Sequence, residues 1–180
     1  MASRFQVNPS LTLFCDLLKA VAYLYSTKEL GLEYHPSEDP QLVSFSDASW
    51  ATDYVGSRSL SSGCIQFGGN TIFSTVKKQS IIARSSCEAE WIACHVMCRQ
   101  SEFFLEMLQF LGWDAAQFTL YTDSQSSIDM SKNLPGCKKK SRHFRLRVND
   151  VREMIADGKM AFRFVRTDSN LGDWWTKANE

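Results

Sequence analysis

Apolar side chains at Leu11, Phe14, Leu17, Leu18, Val21, Leu24 and Tyr25 recur at helical spacing behind the start signal Asn8-Pro9-Ser10. They predict an amphipathic helix of about twenty residues. Gly31 and the acid- and proline-rich stretch from Tyr34 to Pro40 then read as a linker, which sets residues 1–40 apart from a domain over 41–180. From Gln41 the period shortens to two. Leu42 to Ser46 alternates and ends on Asp47, Ser59 to Phe67 carries Gly63, Cys64 and Ile65, and Gly68-Gly69-Asn70 turns the chain into Thr71 to Val76. These segments predict three consecutive antiparallel strands.

A long helix follows from Ser85-Ser86-Cys87-Glu88-Ala89-Glu90-Trp91, with an apolar stripe of Ala89, Ile92, Ala93, Val96, Phe103, Phe104, Met107 and Leu111. At about 100° per residue, Glu90 lies nearer the centre of that stripe than Glu88. Glu90 is therefore expected to lean over the sheet, and Glu88 to face solvent in the first turn, where the helix dipole favours an acid. The next run, Phe118-Thr119-Leu120-Tyr121-Thr122, is β-prone and ends on Asp123; Ser124 offers an N-cap and a helical pattern runs from Ser126 to Lys132. An acid at the carboxyl end of a strand, beside a helix N-terminus, stands where open α/β sheets bind ligands. Lys138 to Arg152 then gives a loop and a helix, Met160 to Val165 a last strand, and Thr167 to Trp175 opens a last helix.

Composition narrows the class. Twenty Lys and Arg balance twenty Asp and Glu, so any positive surface arises by segregation along the chain. Lys138, Lys139, Lys140, Arg142, His143, Arg145, Arg147 and Arg152 supply it, interleaved with Phe144, Leu146, Val148 and Val151. Within that segment up to Arg152 Asp150 is the sole acid, a pattern suited to nucleic-acid phosphates. Six scattered cysteines without a CxxC pair read as thiols of a reducing compartment. Cys94, His95 and Cys98 lie close together, but His95 points away from the face of the Cys pair and no second ligand pair follows, which argues against zinc. No signal peptide and no membrane-spanning run is present, so a cytosolic or nuclear protein is expected.

The ordered motifs Ser46-Asp47-Ala48-Ser49-Trp50-Ala51, Arg58-Ser59-Leu60-Ser61-Ser62-Gly63, Lys77-Lys78-Gln79, Ser85 to Ala93, Thr122 to Ile128 and Asn170-Leu171-Gly172-Asp173-Trp174-Trp175-Thr176-Lys177 resemble a known family. It is the ribonuclease H domain of copia-type LTR retrotransposon polyproteins. The resemblance implies an α/β ribonuclease H-like fold with a mixed five-stranded sheet, three antiparallel strands and then parallel ones. Residues 1–40 resemble the end of the reverse transcriptase connection region in such polyproteins. The chain departs from the pattern at Ser49, Cys87, Trp91, Gly172 and Trp174-Trp175, and in the segment from His143 to Glu153. The loop from Thr167 to Gly172 also holds no His, a residue that many relatives carry there.

The resemblance implies a site of four carboxylates, Asp47, Glu90, Asp123 and Asp173. Such a cluster raises its own pKa values or binds hard cations, and oxygen-only ligands favour Mg²⁺, with Mn²⁺ as a substitute. Two ions about 3.5–4 Å apart would drive in-line hydrolysis of a phosphodiester. Asp47 and Asp123 are expected to ligate both, Glu90 to hold the leaving-group side and sense the RNA 2′-hydroxyl, and Asp173 to complete the attacking-water site. The implied substrate is the RNA strand of an RNA/DNA hybrid, contacted also by Ser124, Gln125 and Asn170. The implied setting is a retrotransposon particle or the nucleus, beside the polymerase and connection regions. A non-catalytic binding or scaffolding module, or another nuclease on the same architecture, would keep the fold and change the activity.

Overall fold

The computed structural model describes residues 10–52, 56–132 and 142–175, and the side chains of all of these but 142, 143 and 175. The chain divides into two compact units, residues 1–34 and 35–180. The first carries α1 (Leu11–Ser26), sixteen residues long and capped by Ser10, whose Oγ accepts from the Leu13 N–H at 3.2 Å.

The second unit is built on a five-stranded sheet. Its strands are β1 (Leu42–Ser49), β2 (Leu60–Phe67), β3 (Asn70–Lys78), β4 (Phe118–Thr122) and β5 (Met160–Phe164), in the order β3-β2-β1-β4-β5. Pairing is antiparallel for β1–β2 and β2–β3 and parallel for β1–β4 and β4–β5. The β2–β3 hairpin closes on Gly68 and Gly69, both at positive φ (57° and 80°), the geometry of a tight two-residue turn that matches the twist of the strands. Ahead of β1, His35 is tied to the hairpin by two 2.8 Å hydrogen bonds with the Asn70 side chain.

The helices are α2 (Ser86–Phe110), α3 (Gln125–Lys132) and α4 (Arg142–Ala156), followed by 3₁₀ turns at Thr167–Ser169 and Asp173–Trp175. The last element is thus a single turn within the described residues, where the sequence pattern predicts a helix. The core joins Ile65, Trp91, Met97, Leu105, Phe118, Leu120, Phe144, Val148 and Val151, all 3% exposed or less. Each such side chain contributes about 1.5–3 kcal/mol through burial.

The buried stripe of α2 departs from expectation in its second half. Cys94, Met97, Cys98, Ser101, Leu105 and Leu108 face the sheet, while Phe103, Met107 and Leu111 stay exposed. Small side chains let the helix approach the strands closely. Gly63 marks the contact: a Cβ there would lie 2.5 Å from Met97 Sδ and from the Phe45 carbonyl.

Candidate metal centre

Asp47 belongs to β1 rather than to its end. Pairing with β2 continues through Ser49, so Asp47 sits opposite Ser62 and is 6% exposed. Ser44 and Ser46, on the same strand, are fully buried.

Glu90 reaches the sheet because the first turn of α2 is fixed twice. Ser85 Oγ accepts from the Glu88 N–H at 3.2 Å, and Glu88 Oε2 accepts from the Arg84 N–H at 3.0 Å, a reciprocal cap that occupies Glu88 and leaves Glu90 for the interior. Just past β3, Gln79 Nε2 donates to the Ala89 carbonyl and to Ser61 Oγ, both at 2.9 Å. Gln79 belongs to the Lys77-Lys78-Gln79 motif, whose strut role the sequence pattern alone leaves hidden.

Asp123 follows β4 directly, as expected. Ser124 caps α3 by accepting from the Ser127 N–H at 3.3 Å, and its own N–H bonds Thr122 Oγ1 at 3.2 Å. One oxygen each from Asp47, Glu90 and Asp123 fall within 4.8 Å of one another. Glu90 bears the consequence. Burial first, then the charges of Asp47 and Asp123, push its carboxyl up to about 9, with the Ala48 backbone hydrogen bond opposing and Asp173 adding a smaller push. Glu90 Oε2 is buried and lacks a hydrogen-bond partner. An orphaned carboxylate oxygen among two further acids is a donor set shaped for a hard cation.

Asp173 stands outside that three-acid group, at the start of the last turn. That turn is strapped to β1 and β2: Asn170 Nδ2 donates to the Ser46 carbonyl at 3.1 Å, and Ser62 Oγ donates to the Gly172 carbonyl at 2.7 Å. Asn170 is fully buried, which corrects its assignment as a nucleic-acid contact; its side chain is spent on backbone beside Asp47. Trp50, 52% exposed, is pinned by its Nε1–H to the Ala83 carbonyl at 3.1 Å, and Ala51 beyond it adopts a left-handed φ of 52°.

Of the basic segment, Lys138, Lys139 and Lys140 lie outside the described residues, as do the side chains of Arg142 and His143. Arg145 is exposed on α4, whereas Arg152 turns inward to the Met130 carbonyl at 2.6 Å. Gln125 is exposed and bonds Asp129 Oδ1 at 3.0 Å. Cys94 and Cys98 are buried in the core, and burial raises both thiols. His95 bonds Asp150 Oδ2 at 2.9 Å. Among the described residues, no helix is long and apolar enough to cross a membrane.

The sheet order, the parallel β1–β4 pair and the acids at its end define a ribonuclease H-like fold. Among solved structures, LC11-RNase H1 in complex with an RNA/DNA hybrid superposes with a TM-score of 0.50 at 13% identity, covering 73% of this chain and 89% of that one. The homologues of the chain are retrovirus-related Pol polyproteins of copia-type transposons. The polyprotein from tobacco transposon TNT 1-94 is 31% identical over 177 residues, 98% of this chain and 13% of the polyprotein. Secreted RxLR effector protein 161 of Plasmopara viticola is 36% identical over 91 residues, 51% of this chain and 64% of the effector. The chain therefore spans less than two thirds of either relative. No family model matches it.

Proposed function

We propose that this chain is a ribonuclease H, a metal-dependent endonuclease that hydrolyses the RNA strand of an RNA/DNA hybrid during retrotransposon reverse transcription. The observation that carries the reading is the approach of Asp47, Glu90 and Asp123 within 4.8 Å around a buried, unpartnered Glu90 oxygen. Residues 1–40 fit the end of a connection region, and the polymerase would be supplied by the same polyprotein, in a cytoplasmic particle or the nucleus.

Asp47, Glu90 and Asp123 would hold Mg²⁺, or Mn²⁺ in its place, with Asp173 completing a second position. When bound, two such ions supply an activated water for in-line attack and stabilise the leaving 3′ oxygen. The chain's own groups do the rest. Glu90 carries a proton at neutral pH in the metal-free protein and gives it up when positive charge enters the cluster. Once ionised, it can accept a hydrogen bond from an RNA 2′-hydroxyl, a group DNA lacks. Ser124 and Gln125, at the start of α3 beside Asp123, would meet the backbone flanking the cut. Arg145 and the basic side chains before it would hold the DNA strand's phosphates.

Cleavage of a labelled hybrid in Mg²⁺ and in Mn²⁺ tests this, with duplex DNA and duplex RNA alongside and Asp123→Asn as control. Hybrid-selective RNA cleavage that disappears in the variant is expected. Hybrid binding without cleavage in either metal would replace the enzyme with an inert binding module.

A further inference from the structure

Trp50 and Trp174 bracket the end of β1 at which the acids gather. Trp50 stands three positions past Asp47 and is 52% exposed; Trp174 follows Asp173 and is 70% exposed. Backbone and Cβ alone cannot supply that share of so large a residue, so ring surface meets solvent at both. The two belong to opposite sides of the sheet. Side chains alternate along a strand. On β1, Ser46 meets Cys94 of α2, with 3.2 Å between Oγ and Sγ, which marks its side as the α2 face. Ser62, directly opposite the next residue, Asp47, bonds the Gly172 carbonyl at 2.7 Å, which marks the other side as the one covered by the last turn. Trp50 is tied to the α2 side, because the Ala83 carbonyl that accepts its Nε1–H at 3.1 Å lies in the segment leading into α2. Trp174 rides the last turn.

What the rings offer is flat apolar surface. The single donor of Trp50 is committed to Ala83, and the chain just beyond it is fixed by a 3.1 Å bond from the Ala51 N–H to Ser59 Oγ. That indole is held in place and has no hydrogen bond to give outward. A ring face does not hold a phosphate, and the bases of a paired duplex are stacked on one another. The apolar surfaces that a duplex backbone presents beside a phosphate are the faces of its sugars. Trp174 is also a position at which the chain departs from the family pattern, so its ring is a feature of this chain. We propose that Trp50 and Trp174 are substrate-contacting residues, each packing a ring face on a sugar, the two sugars lying on either side of the phosphodiester bound at the acids. This rests on the hybrid-cleaving reading of the site and adds the contacts that centre the strand on it.

Anisotropy of a labelled RNA/DNA hybrid titrated with the full chain, with Ca²⁺ in place of Mg²⁺, tests this alongside steady-state cleavage in Mg²⁺. Trp50→Ala and Trp174→Ala are each expected to weaken binding about fivefold, the lower end of what aromatic stacking on nucleic acid contributes. They are expected to raise KM and keep kcat, since the sugar contact is the same in the ground and transition states. Trp50→Phe and Trp174→Phe keep a flat ring and are expected to restore most of the affinity, whereas Trp174→Leu should bind like Trp174→Ala. Should Trp50→Ala fail to fold, the contrast of Trp174→Phe with Trp174→Leu, at an exposed position, decides. The proposal is overturned if both alanine variants bind and cleave the hybrid as the wild type does. It is equally overturned if Trp50→Phe loses as much as Trp50→Ala, which would make Trp50 only a pin for α2. A wild type that binds hybrid through these rings and cleaves nothing would overturn the endonuclease and leave the contacts standing. One that cleaves regardless of them would overturn the contacts alone, and one that binds no hybrid would overturn both.

Discussion

Asn170 and Ser46 are joined across 124 positions by a 3.1 Å hydrogen bond from the Asn170 side chain to the Ser46 carbonyl, both residues being fully buried. The same side chain accepts from the Gly172 N–H at 3.1 Å, so one amide fixes the turn bearing Asp173 against the strand bearing Asp47. Asn170→Ala strands a buried carbonyl and a buried N–H. A loss of about 1–3 kcal/mol is expected in denaturant unfolding, with hybrid cleavage falling further than the unfolded fraction accounts for. Cleavage that tracks stability alone would remove Asn170 from any role in placing the acids.

Glu90 gives the metal-free protein a pH signature. Its folded-state carboxyl is pushed up to about 9, against 4.5 for a free glutamate side chain, so the folded chain holds a proton that the unfolded chain releases. The resulting penalty is absent below about 4.5, grows as pH rises and is complete above about 9. Glu90→Gln removes it. In EDTA at pH 8 the variant is expected to melt above the wild type, the gap closing towards pH 4.5, and added Mg²⁺ is expected to raise the wild-type Tm more than the variant's. A Tm difference independent of pH would show that Glu90 is not protonated in the fold.

Gly63 has no room for a side chain. An added Cβ would meet the Phe45 carbonyl at 2.5 Å as well as Met97 Sδ, and the backbone contact cannot be relieved by a rotamer change. Gly63→Ala is expected to cost at least about 1–3 kcal/mol, seen as a lower denaturant midpoint. Met97→Ala in the same chain would restore only part of it, because the carbonyl contact remains.

Legibility from sequence followed the range of the interactions. Asp123 was readable because its strand and the Ser124 cap are local, and Glu90 was separable from Glu88 by helical angle alone. The mixed five-stranded sheet is implied by the family resemblance, and its order β3-β2-β1-β4-β5 emerges only in the structure. Asp47 reads as a strand end because the alternation stops at Ser46 and a polar stretch follows; the strand's continuation through Ser49 depends on pairing with β2, a partner the local pattern does not contain. The far half of α2 misled for a related reason. Phe103, Met107 and Leu111 are the more hydrophobic set, yet the sheet admits the smaller Cys94, Cys98 and Ser101. Asn170 reads as a contact to substrate and Gln79 carries no role in the sequence pattern; the hydrogen bonds of both to backbone appear only in the tertiary structure.

Arg145 offers the cleanest test of the basic helix. It is exposed on α4, while the buried face of that helix is taken by Phe144, Val148 and Val151, so its removal leaves packing intact. Arg152 makes a contrasting control, because its guanidinium is bound to the Met130 carbonyl and its loss would disturb the α3–α4 contact. If Arg145 neutralises one phosphate, hybrid affinity measured against salt should fall in Arg145→Ala and the slope of log affinity on log salt should drop by about 0.9. Melting temperature should not move. A variant with the wild-type salt slope would take Arg145 out of the interface and leave phosphate binding to the basic residues that precede it.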